Sequence, residues 1–179
     1  MVISMLCTPK AIPPRPQLLY KAGKLFTWRY FPIAASIITS SDKSLVKNLR
    51  HQTAKLACKG RAAEQKGKHW RAFLDFHDAG LSASLVAALL EDPLSKARTH
   101  EYAADFHLHG LENVAREKRP YDRFHIADTF AWMGEQFGLS AGNYASAGKI
   151  EKEKAMRKRS IASYVSGAAA ATIIMAEGA

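Results

Sequence analysis

Cysteine is scarce in this chain of 179 residues: only Cys7 and Cys58 occur. Two thiols cannot build the disulfide framework that staples small secreted domains, so a reducing, cytoplasmic setting is expected. A Cys7–Cys58 bridge is the one pairing available. Other chemistry-bearing patterns are missing too. There is no C-x-x-C pair, no H-E-x-x-H pair, no Walker loop and no dinucleotide fingerprint. Nothing in the chain therefore announces a cofactor, and none is expected. Alternating strand patterns are rare as well. Residues 31–39, FPIAASIIT, are the one fair strand candidate.

Acid is nearly absent from the first third. Residues 1–63 hold eleven Lys and Arg but a single acid, Asp42. The remaining residues balance, so the whole net charge of +10 sits in that third. Such an asymmetry suits a surface that meets an anion: nucleic acid, acidic lipid or an acidic partner. Proline is confined in the same way, with five of seven prolines before residue 33. Pro13-Pro14-Arg15-Pro16 favours an extended run, because each ring fixes φ and removes a donor. Residues 1–39 thus read as a basic, Pro-rich, acid-free arm. The apolar stretch Phe31–Ile38 starts late and is short for a secretory signal. An organelle-targeting role for residues 1–41 fits the missing acid, but the prolines oppose one continuous amphipathic helix.

What is present reads as helix, and apolar residues at 47 % are enough for a sizeable core. The expected fold is mostly α: a compact domain of several short helices over residues 40–138. A charged linker and an Ala-rich C-terminal helix follow in residues 139–179. Ser41 and Asp42 are N-cap types, and the stripe of Leu45, Leu49 and Leu56 predicts a helix to about Lys59, stopped by Gly60. Further helices are expected over 70–80 and 81–90, each ending near a glycine or a polar turn. Asp92-Pro93 opens another, because proline is favoured just after an Asp cap. It is expected to end at Gly110. Residues 111–118 and 122–137 follow, the latter stopped by Gly138.

Three functional readings arise. The first is non-catalytic nucleic-acid binding. Lys43, Lys47, Arg50, Lys55, Lys59 and Arg61 would meet phosphates, and Trp28 or Tyr30 would stack on bases. The second uses the C-terminal helix, where no charge occurs from Ile161 to Ala176. Sixteen helical residues span about 24 Å, short of a bilayer core of about 30 Å. Small residues there suit close packing or a homo-oligomer, and Arg157-Lys158-Arg159 would suit an anionic membrane surface. The third is a metal-dependent hydrolase. Histidines cluster in THEYAADFHLHG, residues 99–110. His100 and His107 share a helical face but stand about 10 Å apart along the axis, too far for one zinc ion. A composite site would have to gather His100, His109, His125 and Asp128 from separate segments. The bland alternative, a helix face with hydrogen-bonded histidines, is the stronger expectation, so a non-catalytic role is favoured.

Overall fold

The structure, a computed structural model, describes residues 43–116 and 123–176. The arm, its strand candidate, Trp28 and Tyr30 lie outside the described residues. Within them the chain is 91 % helical, with five helices and no strand. The helices are α1 (Lys43–Gln65), α2 (His69–Leu89), α3 (Pro93–Val114), α4 (Arg123–Ser146) and α5 (Ile150–Ala176). The mostly α expectation is met, but the helices are longer and fewer than the glycine positions imply.

Four glycines with the look of stops are crossed without a break. Gly60 lies inside α1, Gly80 inside α2, Gly110 inside α3 and Gly138 inside α4. Three of them serve packing. A Cβ at Gly60 would stand 3.0 Å from the Phe76 ring. One at Gly80 would stand 2.7 Å from the His107 ring, and one at Gly110 would stand 3.3 Å from Phe73. The helix interior tolerates each glycine because its missing side chain admits a neighbour's ring, which offsets a propensity cost of about 1 kcal/mol.

The true stops are Gly67 and Gly148, which adopt positive φ of 65° and 69°. Both close a Schellman motif. After α1, the Lys68 amide donates to the Ala63 carbonyl and the Gly67 amide to that of Glu64. After α4, Lys149 donates to Tyr144 and Gly148 to Ala145. The Asp92-Pro93 opening is as expected: the Asp92 carboxylate accepts from the Ser95 amide at 2.7 Å.

Short turns at 66–68, 90–92 and 147–149 force antiparallel neighbours. Each helix packs most heavily on those before and after it in the chain. The main core runs through α2 to α5, around Phe73, Leu111, Met133, Phe137 and Met156. A second cluster, of Phe76 with Ala57, Ala63, Ala72 and Ala79, joins α1 to α2. Among the described residues, α2 is the one helix long and apolar enough to cross a membrane. Two thirds of its apolar window (67 %) is buried inside the fold, so that apolarity is already committed to the core.

Candidate nucleic-acid interface

The orientation of α1 is set on its inner side. Leu49 is buried, and the Thr53 hydroxyl bridges the Leu49 carbonyl (2.9 Å) and the Ser82 hydroxyl of α2 (3.0 Å). Ser82 also donates to the Leu49 carbonyl at 3.3 Å. Ala57, Gly60 and Ala63 continue the buried stripe toward the far end. With that face committed, Lys43, Lys47, Arg50, Lys55, Lys59 and Arg61 are all exposed. At 100° per residue, Lys43, Lys47, Arg50 and Arg61 fall within an arc of roughly 60°, and Lys55 and Lys59 lie farther round the same half. Lys43 to Arg61 spans about 27 Å at 1.5 Å per residue.

The charge of this surface is uncompensated. Glu64 is the lone acid on α1. It turns inward to accept from Arg116 Nη1 at 2.8 Å and lies 3.1 Å from His109 Nε2. Desolvation would raise its carboxyl pKa, but the hydrogen bonds and charges of His109 and Arg116 outweigh that and lower it. The acid therefore stays ionised and engaged. None of the six cations forms an ion pair with a described acid. Exposed Lys66 and Lys68, in the turn after α1, extend the basic edge. They lie past Gly60, the stop that the sequence pattern suggests.

The four metal candidates do not gather into one site among the described residues. His100 Nδ1 donates to Gln136 Oε1 at 2.7 Å in the buried α3–α4 contact. His109 sits between Glu64 and Glu112 with its ring edge-on to Phe76. His125 meets Trp70 edge-on, with ring centroids 6.1 Å apart. Burial raises the Asp128 carboxyl, while the charge of His125 and the hydrogen bond from Trp132 oppose the shift. Among the described residues, no group of three or more His, Cys, Asp or Glu is placed to hold a metal ion. The chain matches no family model, no curated protein and no solved structure.

Two features escape a reading of the sequence. The first is a pair, half-buried His77 and fully buried His107, with ring centroids 4.9 Å apart. His77 Nδ1 lies 3.2 Å from the Thr129 hydroxyl. His107 is fully buried, and neither ring nitrogen has a hydrogen-bond partner among the described residues. Burial, reinforced by the charge of His125, pushes His77 down to about 4. Burial and the neighbouring His77 hold His107 well below its ordinary value. Both rings are neutral at pH 7. The second feature is a charged cavity between α3, the end of α4 and the start of α5, with a volume of about 400 Å³. It is made where distant stretches of chain meet, with no local motif to reveal it.

Proposed function

We propose that this protein is a non-catalytic nucleic-acid-binding protein that grips phosphates with the outer face of α1. The observation that carries the reading is the exposure of all six cations on a helix whose single acid is turned inward. A rigid helix about 27 Å long between its outermost cations matches most of a duplex turn of about 34 Å. Binding of this kind releases counterions, so affinity falls steeply with salt, by a slope of about 0.9 per phosphate neutralised on a duplex. Electrostatic contact of this kind falls mainly on backbone phosphates, so those are the expected partners. An anionic surface of another kind would be met by the same charges.

The test is fluorescence anisotropy of the full chain with labelled duplex, single strand and RNA over a salt series. Replacing Lys43, Lys47, Arg50 and Arg61 by Gln should weaken binding at low salt. It should also flatten the salt slope by about one for each phosphate no longer neutralised. A full chain that fails to bind at low salt, or a fourfold variant with an unchanged slope, refutes the reading.

A second reading rests on α5. Ile161 and Val165 are 65 % and 63 % exposed, and Tyr164 is 46 % exposed. Ile161, Val165, Ala168 and Thr172 follow the four-three-four spacing of a helix-pairing seam and all face outward. This supports assembly of two copies through α5. Sedimentation velocity should then show a dimer that Ile161→Glu with Val165→Glu converts to monomer. A parent chain that is monomeric at high concentration removes this reading.

A further inference from the structure

The cavity between α3, α4 and α5 carries a second binding surface, independent of α1. Its position is held by the Schellman turn at Gly148, which ties Tyr144 and Lys149 into one rigid unit. Two acids line it, and both are already matched. The Tyr144 hydroxyl donates to Glu101 Oε2 at 2.6 Å, while Lys152 and Arg159 approach Oε1 at 4.0 and 3.9 Å. Arg159 also holds Asp105 at 2.6 Å and lies 4.0 Å over the Phe137 ring, so it is locked in place. With Glu101 and Asp105 occupied, the cations left over decide what enters. Arg98 and Lys149 are exposed and form no ion pair with a described acid. Lys152 is at the outer limit of its pairing and is itself 60 % exposed.

An aromatic face completes the set. Tyr102 lines the same cavity and is 65 % exposed, an unusual state for a large ring. A volume of about 400 Å³ is far more than a bare inorganic anion fills, and lies within the range of about 300–1,000 Å³ typical of small organic ligands. The ligand must therefore be anionic at one end and flat at the other. We propose that this cavity binds a nucleoside monophosphate, its phosphate on Arg98 and Lys149 and its base against the Tyr102 ring. The two charges of Arg98 and Lys149 match the roughly −2 of a single phosphate group, which favours one phosphate over three.

Isothermal titration calorimetry on the full chain tests this with AMP, adenosine and inorganic phosphate. AMP is expected to saturate, with adenosine and phosphate each at least about tenfold weaker, because neither satisfies both ends of the site. Arg98→Gln with Lys149→Gln should weaken AMP by about tenfold or more, and Tyr102→Ala by about fivefold or more. Lys158→Gln, on an exposed part of α5 outside the cavity, should leave the isotherm unchanged, which separates site contacts from net charge. All four altered residues are exposed, and circular dichroism verifies that each variant stays folded. No saturable binding of AMP up to about 10 mM, where even a weak site would fill, overturns the proposal. So does equal affinity for inorganic phosphate, or an Arg98/Lys149 variant that binds like the parent. Because the probe is a mononucleotide and α1 is read out with long strands, either reading can fail while the other stands.

Discussion

His107 is the residue at which burial and chemistry are most at odds. It is an imidazole with no exposed surface and two nitrogens lacking a partner among the described residues. Leaving a buried polar atom unmatched costs about 1–3 kcal/mol, whereas repacking with a side chain of similar size costs less than about 1.5 kcal/mol. Desolvation wins that comparison. His107→Met, with an unbranched chain that adapts to the slot, should therefore raise unfolding free energy by about 1 kcal/mol, read from the urea midpoint at pH 7.5. Gly80→Ala should do the reverse. Its Cβ would stand 2.7 Å from the same ring, and overpacking of about 1–3 kcal/mol exceeds the helix-propensity gain of up to about 1 kcal/mol. A Gly80→Ala protein as stable as the parent would show that the contact is soft.

At the scale of the element, glycine carries the lesson about what a sequence reveals. Gly60, Gly80, Gly110 and Gly138 look no different in the sequence from Gly67 and Gly148. What separates them is tertiary. The first three face a ring of another helix, while Gly67 and Gly148 adopt positive φ and have nothing within 4 Å of where a Cβ would stand. A local pattern cannot see Phe76, His107 or Phe73 arriving from elsewhere, so it divides long helices into pairs of short ones. The Asp92-Pro93 start is legible because its hydrogen bond is local. The exposed cations of α1 are legible for a related reason: the Leu49 stripe locally fixes which face is buried. The cavity and the His77–His107 pair are not, since both are made across helices. Gly148→Ala should lower thermal stability, because it forces an L side chain into left-handed backbone. It should also weaken AMP binding more than Gly67→Ala does, since Gly148 alone adjoins Lys149.

At the scale of the whole molecule, the histidines make stability depend on pH. His77, His100 and His107 all have folded pKa values below the ordinary 6.5. For His100, burial lowers it, the Gln136 hydrogen bond partly restores it, and the charge of Lys96 lowers it further. Below pH 6.5 the unfolded chain binds protons that the fold excludes, so stability rises with pH in that window. The contribution is fully present above about pH 6.5 and is lost as pH falls, for His77 until about pH 4. Each histidine adds a slope of up to about 1.4 kcal/mol per pH unit. Urea midpoints should therefore drop between about pH 7 and 5, and His107→Met should make that drop shallower. A flat profile across this range would mean that the rings are protonated at little cost in the fold.

The packing of each helix on its chain neighbours has a kinetic side. Most contacts form between segments close in the chain, so contact order is low and little loop entropy must be lost before a hairpin of helices becomes favourable. Such a chain is expected to fold on the microsecond to millisecond scale. It also opens from its ends. The outer helices α1 and α5 each have one principal neighbour, whereas α2, α3 and α4 have two. Native-state hydrogen exchange should accordingly grade outward, slowest in α3 and faster in α1 and α5. The basic helix could then loosen from the rest without unfolding it.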